Sequence, residues 1–506
     1  MRTKSVFYSL VTTFAYQIIT AITNFIALKI FILNFGSELN GLTSSIVQVI
    51  NYINIVEAGL ALTAIKALYK PLRENDIGSI NSILAATNKL YKYSGSVFMG
   101  IVVIISIVYP NILDTNISKQ TISILIIVMA GGSIVEYFLN GKMRVLLVAD
   151  QKSYMLNIFQ IIGVFISFSA KIYLILNGYN IIMVQLVSTI TSLLRVVLTK
   201  IYINKKYSFV NYRVLPDKDA LKDRWSVLFH QFAGLVVFNS PIIIISLFCS
   251  LEEASLYAVY NFVFGSLLVV MQLFSKSVVA SFGNLISEQN NKRLQDVFST
   301  YQAIYFCFAT TIYTVTFLVI KPFIKLYTAG INDFNYNNNL LIYMFLIIGI
   351  ANSCRIPCNT LIEASGQYKE TQNRAFIEAM INISISIIAV QKIGIYGVLL
   401  GSICSFMYRT IDIIQYSHSR ILHSEAKYTY KNILINLFLA FIICALVIKY
   451  IPDYMTWISW ILISLIITII SVTITLIGNN IFYPRILKQL RDRLSCAIKV
   501  TNIKNR

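Results

Sequence analysis

Apolar runs of about twenty residues follow one another along almost the whole chain, and only a membrane offers such a chain a solvent. A hydrocarbon core of about 30 Å is crossed by roughly 20 residues of helix. Inside that core each backbone N–H and C=O has to be paired within its own segment, which leaves α-helices. We count fourteen spans, at 7–33, 42–65, 93–109, 121–139, 154–176, 181–199, 225–249, 256–275, 299–320, 338–363, 375–391, 394–416, 432–449 and 454–478. With 57% of residues hydrophobic and 13% charged, no stretch remains for a sizeable soluble domain. The expected fold is an all-α integral membrane protein. Its first span exceeds the apolar core of a signal peptide and is expected to be retained.

A second constraint is internal. Shifting the chain by 215 residues lays Ala149-Asp150-Gln151-Lys152 on Ala364-Ser365-Gly366-Gln367, Glu38 on Glu253, and Asn75 on Asn290. The same shift lays Asn24 on Asn239 and Glu57 on Gln272. A constant offset across loops implies a duplicated fold. Each copy holds six spans, an even number, so the copies cross the membrane in the same sense about an axis along its normal. This predicts an N-terminal six-helix lobe at 1–210, a second at 211–424, and a helix pair with a basic amphipathic tail at 425–506. Duplicated membrane folds of this kind usually belong to transporters whose halves move against each other.

The net charge of +20 does not indicate nucleic acid, because of where the cations lie. With the N-terminus in the cytoplasm, 32 of the 42 Lys and Arg fall on the inner side, 5 on the outer side, and 5 within spans. That asymmetry predicts that both termini lie in the cytoplasm. Asp76 is placed to cap a short helix with Ile77, Ile80, Leu84 and Leu90 on one face, and Asn290, Leu294, Val297 and Phe298 repeat the pattern. Both read as helices lying along the inner surface, as does the tail around Ile486, Leu490 and Leu494. Among the histidines, His418 and His423 are expected in solvent, and His230 is a candidate pH sensor. Cys354 and Cys358 lack the partners of a metal site, and the absence of a phosphate-binding glycine loop argues against direct use of ATP.

Polar groups inside spans mark the candidate site, since lipid penalises them. Thr13, Gln17, Thr20 and Asn24 share one helix face, which suits either a hydrated path for a sugar-like cargo or ordinary pairing between helices. Asn239 precedes Ser240-Pro241, where proline permits a bend. Glu57 is the candidate for coupling to H+ or Na+; its alternatives are a salt bridge to Lys66 or capping of a helix break near Gly59. Lys29, Arg195, Arg355 and Arg409 are the intramembrane cations of interest, for either an anionic headgroup or snorkelling toward the interface. No organic cofactor and no metal are expected.

Phe35-Gly36-Ser37-Glu38-Leu39-Asn40-Gly41-Leu42 and Tyr52-Ile53-Asn54-Ile55-Val56-Glu57-Ala58-Gly59-Leu60 resemble the opening of bacterial polysaccharide flippases of the Wzx type. These belong to the multidrug/oligosaccharidyl-lipid/polysaccharide exporter superfamily. Asn359 to Gln367 and Ile393 to Val398 are similar to that superfamily's tenth-to-twelfth-span pattern. The resemblance implies a transporter, and no enzyme. It would carry undecaprenyl-diphosphate-linked oligosaccharide to the outer leaflet by alternating access, for surface polysaccharide biosynthesis. Membrane lipid and the polymerase and glycosyltransferases of the same pathway are the implied partners. Many relatives carry an Asp near Asn239, and this chain departs from them there. The alternatives are a multidrug or cation antiporter of the same fold and a membrane-embedded polymerase or glycosyltransferase. The short outer loops leave the last of these little room.

Overall fold

In the computed structural model, residues 2–217, 221, 224–452 and 455–482 are described, without the side chains of residues 2–4, 6, 56, 58, 224–233 and 368. The tail predicted beyond residue 482 and the His230 side chain lie outside the described residues. All regular structure among the described residues is helical. The α-helices are α1 (Arg2–Ile53), α2 (Ile55–Glu74), α3 (Ile77–Ile112), α4 (Lys119–Val135), α5 (Gly141–Ala149), α6 (Ser153–Leu176), α7 (Ile181–Lys206) and α8 (Arg224–Phe248). They continue as α9 (Leu251–Lys276), α10 (Val279–Ser287), α11 (Asn291–Tyr327), α12 (Asn339–Ser365), α13 (Tyr368–Ile393), α14 (Ile395–Ser417), α15 (Lys427–Val447) and α16 (Trp457–Phe482).

Twelve stretches among the described residues are long and apolar enough to cross a membrane, and Gly234–Phe248 is a shorter apolar helix. The first stretch, Phe7–Ile53, is two helices joined at Gly36. There the backbone adopts φ 83°, ψ 169°, a conformation that glycine alone takes without strain. The expected second span, 42–65, is divided between the end of α1 and α2, so twelve candidate spans and one short apolar helix among the described residues stand where fourteen spans are expected. This is a multi-pass membrane protein.

Two expectations change. The surface helices foreseen after the second and eighth spans are not separate elements: α3 and α11 run without interruption from their caps through the following spans. No Pro lies between Ile80 and the apolar run from Val97, and the one glycine there, Gly95, weakens the helix without stopping it. His418 is not solvated. It is buried, with Nδ1 bonded to Ser424 Oγ at 2.9 Å and Nε2 to Thr429 Oγ1 at 2.7 Å.

The duplication is visible in the backbone. Gln151 and Gly366, 215 residues apart, both take left-handed conformations just past the ends of α5 and α12, at φ 57° and 71°. The helices α3 and α11 begin under equivalent caps: Asp76 Oδ1 accepts from Ser79 N at 3.0 Å, and Asn290 Oδ1 from Arg293 N at 3.1 Å. The two hydrogen bonds that Ser79 gives Asp76 hold that carboxyl below its ordinary range.

By packing, the chain divides into a unit of Met1–Ala258 with Ile331–Phe334 and a unit of Val259–Gly330 with Asn335–Arg506. This division lies further along the chain than the repeat boundary at 210/211, because α8 packs on α1 and α2. In the first unit, Asp333 caps the second segment of α1. Its two carboxylate oxygens accept from Ser37 N at 2.6 Å and Ser37 Oγ at 2.9 Å. In the second unit, α15 and α16 are held to α11 by uncharged buried bonds, such as Gln302 Nε2 to Thr429 Oγ1 at 2.8 Å. Trp460 Nε1 donates to Val319 O at 3.1 Å.

Candidate functional site

In the first unit a cavity of about 310 Å³ lies among α2, α4, α5, α6 and α7. Glu57, Glu136, Asn140, Arg144, Gln160 and Arg195 are among its walls. Glu57 is held there by Arg144, whose Nη2 lies 2.6 Å from Glu57 Oε1. The Lys66 pairing considered for Glu57 is therefore replaced by one to Arg144. A weaker contact joins Arg144 Nη1 to Glu136 Oε1 at 3.4 Å. Asn140 Nδ2 donates to Glu136 Oε2 at 2.9 Å, while its Oδ1 is buried without a partner. Tyr91 OH completes the setting of Glu57 at 3.3 Å. The tyrosine can approach because residue 141 is glycine; a Cβ there would lie 2.2 Å from its ring.

Arg144 falls between the sequence-predicted spans 121–139 and 154–176. The structure places it in a candidate span, Lys119–Ala149, which continues through a single π-turn at Glu136–Asn140. The turn explains the pairing. In a regular α-helix eight residues rotate by about 800°, leaving Glu136 and Arg144 roughly 80° apart around the axis. One extra residue accommodated by a π-turn brings them to roughly 20°. A sequence read with uniform helical period misses this.

Arg195, on α7, enters the same cavity and donates from Nη2 to Ser192 Oγ at 2.7 Å. Past the ends of α5 and α7, Tyr207 donates to Asp150 Oδ2 at 2.5 Å, and Lys152 Nζ lies 2.5 Å from the same oxygen. Burial, followed by the Asp150 charge, pushes the Tyr207 phenol well above its ordinary pKa.

The other two arginines of interest are in the second unit, and both are paired. Arg355 Nη1 lies 2.6 Å from Glu378 Oε1, and Arg409 Nε 3.5 Å from Glu378 Oε2. Asp412 joins Arg409 at 2.8 Å to Arg374 at 2.5 Å. Arg355 also stacks over the Phe406 ring, 4.9 Å from its centroid. The chain Arg355, Glu378, Arg409, Asp412, Arg374 thus ties α12, α13 and α14 together. Neither snorkelling nor an open anion clamp describes it. Glu378 and Asp412 escaped the sequence reading, although Arg374 to Glu378 and Arg409 to Asp412 are spaced by four and three, on common helix faces.

The remaining candidates do not gather into either cluster. Thr13 of the α1 stripe accepts from Asn157 Nδ2 of α6 at 2.8 Å, so at that position the stripe pairs helices. Gln17 and Lys29 are half-buried and Asn24 is exposed on α1. Asn239 is half-buried on α8, and Gln272 is exposed on α9. The second unit also contains a groove of about 550 Å³ between α11, α12 and α15, with Phe306, Tyr313, Phe317, Ile347, Phe441 and Cys444 in its walls.

No protein-family profile matches the sequence, and no curated protein matches it. Solved structures do. A lipid II flippase, MurJ, in an inward closed conformation is similar with TM-score 0.65 and 18% identity, over 95% of this chain and 100% of that one. A multidrug resistance MATE family transporter of the MOP superfamily, inward-facing, is similar with TM-score 0.64 and 13% identity, over 81% and 98%. An outward-facing conformation of such a transporter gives 0.60 and 13%, over 83% and 96%. At these identities the likeness shows the fold alone, and this chain has the all-helical fold of those solved MATE and MurJ structures.

Proposed function

We propose that the protein moves undecaprenyl-diphosphate-linked oligosaccharide from the inner to the outer leaflet of the bacterial cytoplasmic membrane by alternating access. The observation that carries this reading is the polar cavity of the first unit. Its walls combine two arginines with amide and hydroxyl groups, in a chain otherwise built for lipid. Arginine suits phosphate oxygens, and neutral donors and acceptors suit sugar hydroxyls. The apolar groove of the second unit offers an isoprenoid tail a surface of its own kind. Glu57 is the group we assign to coupling with H+ or Na+, since its carboxylate lines the polar cavity. Membrane lipid and the glycosyltransferases and polymerase of the pathway are its proposed partners.

Deletion of the gene, followed by leaflet-specific labelling, tests this. Lipid-linked glycan should still be made and should accumulate in the inner leaflet. Loss of glycan assembly itself would overturn the reading in favour of an enzyme. A multidrug antiporter, the second reading suggested by the MATE likeness, would instead show unchanged glycan export and lowered resistance to cationic compounds.

A further inference from the structure

In the first unit three lysines come together where three apolar runs end. The expected spans 93–109, 121–139 and 181–199 stop just short of Lys92, Lys142 and Lys200. Each lysine directly follows a residue of the unit's interior. Tyr91 is buried against Gly141, and Thr199 is buried beside the same cavity as Asn140 and Arg144. The packing of α3 and α7 on α5 therefore sets the three ammonium groups at one level, and the charges of Lys92 and Lys200 both reach Lys142. None of the three has a carboxylate partner among the described residues. Like charges gathered in this way repel one another.

The lysines meet a segment whose own place is fixed. Asn81 of α3 holds the chain after α7 twice: its Nδ2 donates to Phe209 O at 3.0 Å, and its Oδ1 accepts from Asn211 N at 3.0 Å. The next residue, Tyr212, lies with its ring centroid 4.6 Å from Lys142 Nζ. The same ammonium donates to Asn88 Oδ1 at 2.9 Å. Asn81, Asn88 and Lys92 are spaced by seven and four, on one face of α3. The Tyr212 hydroxyl is buried, yet it has no hydrogen-bond partner among the described residues. Burial pushes this phenol up to about 12, which keeps it protonated and able to donate. Three cations without a counter-charge and one buried donor without an acceptor lack the same thing, an anion with several acceptor oxygens.

We propose that Lys92, Lys142, Lys200 and Tyr212 bind the phosphate of an anionic phospholipid, at a site separate from the cavity that Arg144 lines. Lys142 and Arg144 are two residues apart on α5, about 200° around the helix, so the lysine faces away from that cavity. Depth selects a lipid over a soluble phosphate compound. The lysines stand where apolar spans give way to polar loops, the level at which headgroups lie. By the charge rule for loops, this is the cytoplasmic leaflet. The bound phosphate supplies the lysines with a counter-charge and Tyr212 with an acceptor. It thereby ties the segment after α7 to α3 and α5.

The test is a titration of the purified full-length chain, in detergent, with dioleoylphosphatidylglycerol, read by native mass spectrometry. Dioleoylphosphatidylcholine and inorganic phosphate are the other two arms. Phosphatidylglycerol should bind about tenfold more tightly than phosphatidylcholine, and inorganic phosphate should not displace it. Lys92→Gln with Lys200→Gln, both at exposed positions that folding tolerates, should weaken phosphatidylglycerol roughly twentyfold, at about fivefold for each lysine. Tyr212→Phe removes only the unpartnered hydroxyl and should weaken it about fivefold. Lys205→Gln with Lys206→Gln takes as much charge from the end of α7 and should leave binding within about twofold. Equal losses in the two double variants would overturn the site, because the lipid would then be answering to basic charge in general. Unchanged binding in Tyr212→Phe would overturn it as well, as would phosphatidylcholine bound equally tightly. Displacement by inorganic phosphate would mark a site for a soluble anion and end the lipid proposal.

Discussion

Each compact unit has a group of charges that joins helices, and the two are built differently. In the first unit, Arg144 serves two carboxylates, Glu57 and Glu136, and Arg195 borders the same cavity, so the charges balance. In the second, three arginines share Glu378 and Asp412, leaving an excess of one positive charge. Their surroundings differ too. Side-chain exposure is 36% at Arg144, against 11% and 8% at Arg355 and Arg409, while Arg374 at the end of the second group is 39% exposed. The first group borders a polar cavity, whereas the Arg355, Glu378 and Arg409 part of the second is buried where three helices meet. One fold, duplicated, thus carries intramembrane charge in two settings: beside a polar cavity in one copy, and as a fastening between helices in the other.

Substitutions can break or sharpen this contrast. The largest effect is expected from Glu378→Ala, which leaves two buried arginines without their shared partner. A loss of about 3–5 kcal/mol, seen as a lower Tm in detergent and a lower yield, is expected; a loss no greater than that of Arg144→Gln would end the contrast. Gly141→Val should come next, at about 2 kcal/mol, from overpacking against Tyr91. Weakened export in that variant at a temperature where it remains folded would tie the tyrosine's approach to Glu57's task. Arg144→Gln, at a partly exposed site, should cost about 1 kcal/mol yet reduce export by more than tenfold. Stability loss without loss of export would make the first group a fastening as well.

The smallest effect separates the equivalent helix caps. Removing Asn290 should cost about 1 kcal/mol at any pH, since an amide does not titrate in this range. Asp76 has a depressed folded-state pKa, so its contribution is complete above the ordinary carboxylate range and fades as pH falls through the lower folded value. Protection from amide exchange, taken relative to the intrinsic rate at each pH, should therefore fall in acid at the start of α3 and stay level at the start of α11.

Much of this could be read from the residues. Apolar runs gave the spans, and the 215-residue shift located turns that the backbone repeats at Gln151 and Gly366. Asp76 and Asn290 were recognisable as caps because their chemistry is local. Partners of intramembrane charges were not, because pairing depends on helix rotation and neighbour choice. Arg144 meets Glu136 only after the π-turn has turned it, and Glu57 meets Arg144, as Glu378 meets Arg355, from another helix. His418 was misjudged for the same reason: its neighbours Thr429 and Ser424 bury it through folding of the segment that follows.

The cap on Ser37 has a consequence for biosynthesis. The carboxylate that satisfies the start of α1's second segment comes from Asp333, 296 residues later. While the ribosome is still making α2 to α11, that helix end has exposed N–H groups and no side chain to receive them. The second span to emerge is therefore finished only after most of the chain exists. Until then the early segments remain provisional, held by contacts that the late arrival of one aspartate completes.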